Sequence, residues 1–590
     1  MADKKKKKKK EKKKKTNKNS LIQQLKISYR TLDNPKEFYK KTFFPLIFLS
    51  VIIFLIPFIL NIALPVEINF NMATIAVGGI VPIFLAVFYP YISWKNKEND
   101  INAKMHFFIT HLRVLAISDL SLKDIIDMLG GKKAYGALGD ELKKISVLSS
   151  QWKLPLSKTF RFISVRTPSK MFKDFLDRFS QSLDSGVEHR EFIETEQDAV
   201  IEEYKTIYES SNENVVILNE VYVSMLIAII FVMSLGIVLP IIMGTENMTN
   251  FIFLSSFLLI ISEGLLMYLL KAMIPQDDLW HITSEKGEIE ENLDRLFKMS
   301  IIGSIVLGIF LFFGKFYLEL AILNILSLEL VVAISLTPLL IVGGKAFMEE
   351  QNIARKERNF LGFLPALGSI STMRGGKINE SVYYLSEKDY GVLTRHIRDL
   401  YRRLRTRIDD DASWAWFGVD TGSNYIQRSS EMFREATYAA ANPRNVAKMI
   451  AENIRKIRGL RSKKLTIVNT SIALFAGITF GISFAIYVSL IIGRHLNTIV
   501  GSTGDPFSDV EGMGNIGNNI LNYVPPEMYS QNFIVVFLVL FIHCLMMAFT
   551  LKILRGSHKY ITFLYFVPFV WVVSSTSFLV EHLFGGMLTT

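Results

Sequence analysis

Nine runs of about 20 mostly apolar residues leave few folds open to this 590-residue chain. They are Phe43–Leu64, Met72–Ser93, Val215–Met243, Phe251–Ile274, Met299–Leu318, Ala321–Val342, Leu465–Ile492, Asn532–Thr550 and Tyr560–Val580. In hydrocarbon, no water satisfies backbone N–H and C=O groups, so a spanning segment must pair its own. The runs are long and do not alternate apolar with polar, so each reads as a helix. The expected fold class is all-α: a polytopic membrane protein with about nine transmembrane helices.

Orientation follows from the placement of Lys and Arg, which favour the cytoplasmic side. The tail Met1–Ser20 carries 12 Lys and is expected to stay in the cytoplasm. Nine spans then put the C-terminus outside the cell membrane. The loop Lys552–Lys559, with Lys552, Arg555 and Lys559, falls inside. The turns Pro65–Asn71 and Gly244–Asn250 fall outside and carry neither Lys nor Arg. No cleavable signal peptide is expected, because the first apolar run is too long and follows a long basic tail. The tail has the charge to bind anionic lipid heads or nucleic acid, but it reads as a disordered, solvated topology anchor, and no nucleic-acid partner is expected. The single cysteine, Cys544, lies within a span and excludes an intramolecular disulfide.

The chain repeats one plan, and repeats of this kind define architecture. The expected order opens with a Lys-rich tail (1–42), spans one and two (43–93), a cytoplasmic block (94–214) and spans three and four (215–274). A connector (275–298) leads to spans five and six (299–344), a second, basic block (345–464) and span seven (465–492). An outer Gly- and Asn-rich loop (493–531) and spans eight and nine (532–583) complete it. Both blocks read as helical bundles, with apolar residues at three- and four-residue steps. Phe107, His111, Leu112 and Leu115 line one face in the first; Phe360, Phe363, Leu364 and Leu367 do so in the second. Tyr135-Gly136-Ala137-Leu138 matches Tyr390-Gly391-Val392-Leu393, and Phe179 matches Phe433 at nearly the same offset.

Charge separates the blocks. The first is near neutral and ends acidic, with Glu191, Glu194, Glu196, Glu202 and Glu203. The second carries an excess of about nine positive charges. One basic run abuts span seven and reads as a lipid anchor: Arg455, Lys456, Arg458, Arg461, Lys463 and Lys464. The other lies mid-block: Arg398, Arg402, Arg403, Arg405 and Arg407, with Arg374 and Lys377 as outlying candidates. Arg398, Arg402 and Arg405 share a helical face, which fits docking to an acidic protein surface.

Catalytic signatures are lacking. Gly343-Gly344-Lys345 and Gly375-Gly376-Lys377 have neither the spacing nor the Ser or Thr of a phosphate-binding loop. No His or Cys pattern points to a metal, no cofactor is implied, and Asp409-Asp410-Asp411 reads as a turn after the Arg-rich helix. The chain is not expected to be an enzyme. Glu263, inside span four, is the intramembrane polar residue to watch; Glu220, Glu329 and His543 are others. The favoured reading of them is polar contact between packed helices.

Two cytoplasmic helical blocks bracketed by spans resemble the type II secretion F-domain family, the inner-membrane platforms of type IV pilus-like machines. The resemblance rests on this architecture and on the helical segments Met105–Ile145, Phe175–Val200, Asn359–Leu400 and Ser430–Ile454. The duplication and nine spans are similar to its large archaeal branch, the archaellum assembly platforms, over Phe43 to Val580. The resemblance implies a seat at the base of a filament. Its implied partners are a hexameric motor ATPase with an accessory ATP-binding protein, the filament subunits (archaellins), and membrane lipids, with a homodimer as the simplest symmetric seat. Arg398, Arg402, Arg403, Arg405 and Arg407, then Arg374 and Lys377, are the matching candidates for the ATPase contact. The alternatives are a platform for adhesive pili or a related secretion system, and a secondary transporter centred on Glu263.

Overall fold

A computed structural model describes residues 28–29, 35–48, 50–51, 72–243, 248–275, 277–281, 283, 285–318, 326–406, 409–502 and 526–587. Helix dominates them, and their one strand-like feature is an isolated antiparallel bridge between Trp280 and Ser423. The protein is an all-α polytopic membrane protein.

In chain order the main helices are α1 (Met72–Ala116), α2 (Leu122–Leu129), α3 (Gly136–Ser150), α4 (Leu156–Ser164), α5 (Lys170–Asp184) and α6 (His189–Met243). Then come α7 (Met248–Met273), α8 (Glu288–Phe316), α9 (Leu328–Leu336), α10 (Leu339–Met373), α11 (Ile378–Ser386) and α12 (Thr394–Thr406). The last are α13 (Asp410–Thr421), α14 (Asn424–Tyr438), α15 (Pro443–Ser502), α16 (Pro526–Arg555) and α17 (Thr562–Met587).

Six helices among the described residues are long and apolar enough to cross a membrane: those within α6, α7, α8, α15 and α16, and Lys559–Phe584. A seventh candidate is the pair α9 and α10, bent by 42°. The bend falls at Pro338, which has no N–H to donate and whose ring crowds the preceding turn. These seven correspond to expected spans three to nine. Most of expected span one, residues 52–64, lies outside the described residues, and Met72–Ser93 forms the start of α1.

The spans are not separate from the helices of the two blocks. α6 continues for 55 residues and α15 for 60. At 1.5 Å per residue, α15 alone is about 90 Å long. Each runs from a helical block into its apolar span without a break.

The two blocks share an element order. The first runs α1, α2, a 3-10 turn at Lys133–Tyr135, α3, α4, α5 and α6. The second runs α10, α11, a 3-10 turn at Gly391–Leu393, α12, α13, α14 and α15. The matched Tyr-Gly pairs sit at the same joint, with Gly136 at φ 48° and Gly391 at φ 57°. In each block a polar residue of the first long helix ties this joint: Asp100 Oδ2 accepts from the Ala137 N–H at 2.7 Å, and Asn359 Nδ2 donates to the Tyr390 carbonyl at 2.6 Å.

The chain forms two compact units, residues 1–105 with 126–188 and residues 106–125 with 189–590. In the first, α5 presents Phe172, Phe175 and Phe179 to the core, and Phe160 of α4 stacks on Phe179 at 4.9 Å. Ser169 starts α5 by accepting the Phe172 N–H at 3.0 Å. Each buried Phe contributes about 1.5–3 kcal/mol. In the second unit, α10 buries Phe360, Phe363, Leu364 and Leu367. A continuous apolar cluster runs through the membrane helices from Val215 to Val580.

The turn geometry makes a prediction. A Cβ at Gly391 would lie 2.6 Å from Asn359 Nδ2, at a backbone angle that L residues avoid. Gly391→Ala is expected to destabilise the protein by about 1–2 kcal/mol. Gly362→Ala, in helical α10 with open space at the added methyl, is expected to stabilise it by about 0.5–1 kcal/mol. Thermal unfolding of the detergent-solubilised protein checks both; equal midpoints would contradict the assignment.

Candidate partner face and its joint to the membrane

α12 reads Thr-Arg-His-Ile-Arg-Asp-Leu-Tyr-Arg-Arg-Leu-Arg-Thr. Its apolar residues Ile397, Leu400 and Leu404 are buried. The same period places Arg395, Arg398, Arg402 and Arg405 on the exposed side. The Arg395 and Arg402 side chains are 79% and 73% exposed. Arg402 reaches Asp399 at 3.1 Å, and Arg398 Nε donates to the Ser386 carbonyl at 3.2 Å. Exposed pairs of this kind are worth about 0–1 kcal/mol, so they leave the guanidiniums available. The neighbouring His396 imidazole is held down at about 3 by burial and by the charges of Lys356, Arg395 and Arg403. The charge of this face therefore comes from guanidiniums and does not change near neutral pH.

The remaining sequence candidates are placed differently. Arg403 turns toward the block and pairs with Asp420 at 2.6 Å. Arg407 lies outside the described residues. Arg374 stacks on Tyr384 at 3.8 Å and approaches Glu380 at 3.6 Å. Lys377, 67% exposed, also pairs with Glu380, at 3.1 Å. Arg395, outside the dense Arg run of the sequence, completes the face; its three-residue step to Arg398 is the sequence signal for it. Asp409 caps α13, accepting the Ala412 N–H at 3.0 Å, while Asp411 pairs with Arg434. No group of His, Cys, Asp and Glu among the described residues could hold a metal.

A polar joint lies where α15 meets its apolar stretch. Arg461 is largely buried, with a side chain 13% exposed. Its Nε and Nη2 donate to both oxygens of Asp277 at 2.9 and 2.7 Å, and Nη1 donates to Glu357 at 3.2 Å. Tyr425 presents its ring to the guanidinium at 4.5 Å and donates its hydroxyl to Asp277 at 3.1 Å. Ser423 donates to the other Glu357 oxygen at 2.7 Å. Burial alone would raise the Asp277 carboxyl; the charge and hydrogen bonds of Arg461, with Lys464 nearby, instead hold it well below the usual carboxylate range.

A second carboxylate serves the other membrane helices. Glu350 accepts from Trp280 Nε1 at 3.2 Å, Ser557 at 3.2 Å and the His558 N–H at 2.9 Å, and pairs with Arg555 at 3.3 Å. Backbone bonds stitch the connector to the second block: Asn424 N–H to the Leu279 carbonyl at 3.0 Å, and His281 N–H to Gly422 at 3.1 Å. Along α15, Lys456 pairs with Asp198 at 3.1 Å and Lys463 with Glu209 at 2.7 Å, both on α6. The basic run read as a lipid anchor thus spends three of its members on protein carboxylates.

Within the membrane, Glu263 of α7 pairs with His543 of α16, and both are fully buried. Tyr222 donates to Glu263 at 3.4 Å, and Thr479 lies 3.2 Å from the other His543 nitrogen. Four membrane helices meet there in polar contact.

The joint is testable. Asp277→Ala leaves Arg461 without its bidentate partner and is expected to cost about 3–5 kcal/mol, read as a lowered unfolding midpoint. Acid gives a second signature. Burial holds the His106 imidazole down at about 3, against about 6.5 when unfolded. Because the unfolded form binds the proton more readily, stability is full above about pH 6.5 and declines toward pH 3. Asp277, also depressed, adds a loss beginning near its unfolded value, at about pH 4. His106→Phe is expected to flatten the upper part of that decline; an unchanged profile would contradict it.

The profile of the family described as type II secretion system (T2SS), protein F, matches residues 108–237. Flagella accessory protein J of Methanocaldococcus jannaschii is 30% identical over 561 residues, covering 94% of this chain and 96% of the relative. Flagella accessory protein J of Methanococcus voltae is 31% identical over 555 residues, covering 94% and 97%. No solved structure matches. Similarity at this level along nearly the whole of both chains has one meaning: the chain belongs to the flagella accessory protein J family.

Proposed function

We propose that this protein is the membrane platform of an archaellum, a type IV pilus-like motility machine, and that it passes work from a cytoplasmic hexameric ATPase to filament assembly. Its relatives carry the name flagella accessory protein, and similarity to them extends over 94% of the chain. The observation that carries the mechanism is the four-guanidinium face of α12, on a block tied to the membrane helices through Arg461. A basic face steers an acidic partner and fixes its orientation. Motion imposed on α12 is carried through the second block to Arg461, and from there along α15 into the membrane. Catalysis belongs to the ATPase and its accessory ATP-binding protein; the platform couples and positions. The N-terminus and both blocks face the cytoplasm and the C-terminus faces outward. Two copies form a symmetric seat for the archaellins.

Two measurements test this reading. Reversing Arg395, Arg398, Arg402 and Arg405 together to Glu is expected to weaken ATPase binding by roughly tenfold or more at low salt. Wild-type affinity in that variant would remove the docking assignment. Deletion with complementation, followed by electron microscopy and a swimming assay, is expected to abolish archaella and swimming while sparing adhesive pili. Loss of pili alone would move the protein to the pilus branch; persistence of all filaments would overturn the platform reading.

A further inference from the structure

At the cytoplasmic edge of the membrane helices, α10, α15, the connector and the turn after α16 line a partly open cavity of about 280 Å³. Five cationic side chains line it against three carboxylates. Two of the cations are committed: Arg461 to Asp277 and Glu357, and Arg555 to Glu350. The other three, Arg358, Arg458 and Lys464, have no hydrogen bond or ion pair among the described residues. Lys464 is only 5% exposed, and its ammonium sits 3.8 Å from where a side chain would begin at Gly556.

A buried ammonium is costly; the charges of Asp277 and Asp278 offset part of that cost for Lys464, while exposed Arg358 and half-buried Arg458 add further positive charge to the same lining. Five cations against three carboxylates leave an excess of positive charge in the lining that a bound anion would balance. Guanidiniums bind phosphate oxygens in pairs and an ammonium supplies a further point charge, a donor set suited to a tetrahedral anion. The cavity falls at the lower edge of the range for small-molecule sites, about 300–1,000 Å³, which limits the ligand to a phosphate with a small attached group. Leu465, the first residue of the apolar stretch of α15, also lines the cavity and sets it at headgroup depth. The lining carboxylates are shared with Arg461 and Arg555, so they offset only part of this charge. We propose that this cavity is a binding site for a phosphate-bearing anion, held by Arg358, Arg458 and Lys464. The phosphate is either a lipid headgroup entering from the membrane or a small phosphate from the cytosol. Its occupant would brace α10 against α15 at the joint centred on Arg461.

The test uses the full-length protein, stripped of lipid in detergent. Thermal unfolding is followed against added phosphatidylglycerol, phosphatidylcholine and inorganic phosphate in separate titrations, since a ligand of the folded state raises the midpoint. Stabilisation by phosphatidylglycerol but not phosphatidylcholine, weakened about tenfold in Arg358→Gln/Arg458→Gln and unchanged in the exposed control Arg455→Gln, supports the site with a lipid source. The same variant pattern with inorganic phosphate supports it with a soluble source. If no probe moves the wild-type midpoint, or the double variant responds like wild type, the proposal is overturned. Should the double variant not fold, Arg458→Gln alone decides on the same criteria, since that side chain makes no hydrogen bond to lose.

Discussion

The bidentate pair between Arg461 and Asp277, with Glu357 on the third guanidinium nitrogen, is the contact on which the second half of the molecule depends. Three segments far apart in the chain meet on one side chain: the connector, α10 and α15. A charge this sheltered is tolerable only when its partners are in place, because losing one leaves an unpaired ion in a poorly solvated site. The gain from such a pair is register more than net stability. An apolar contact between α10 and α15 would permit sliding by a turn. A forked donor facing a carboxylate permits one alignment.

That alignment matters because the helices it joins are long. α15 has no break between its basic turns and the apolar span, and α6 beside it is similarly continuous. In the proposed function, a displacement of the second block would move the membrane helices with it. The bend at Pro338 lies on the other arm, between α9 and α10, so the two connections of the block to the membrane differ in stiffness. A platform that transmits motion needs one stiff arm, and α15 braced on α6 by Lys456–Asp198 and Lys463–Glu209 supplies it.

Most of the exposed arginine face of α12, the proposed partner face, was legible because it is periodic. Arg398, Arg402 and Arg405 share a side by their three- and four-residue spacing alone, and Arg395 belongs to the same series. Arg403 breaks from the group for a reason no spacing reveals: Asp420 of α13 faces it and draws it inward. Likewise, Lys456, Arg461 and Lys463 looked like a headgroup anchor from their position before a span. Their carboxylate partners lie 258, 184 and 254 residues away.

By itself the sequence determined the membrane class, the all-helical fold and the repeated block plan, since span length and helical period are local properties of the chain. It also marked the polar residues inside spans, including Glu263 and His543, without indicating that they meet. Tertiary structure alone decided that pairing, the carboxylates that claim Arg461 and Arg403, and the cavity where Arg358, Arg458 and Lys464 converge. The physical reason is that a charge takes its meaning from what packs against it. Which helices pack together is set by the sum of many apolar contacts, and no single stretch of residues contains that sum.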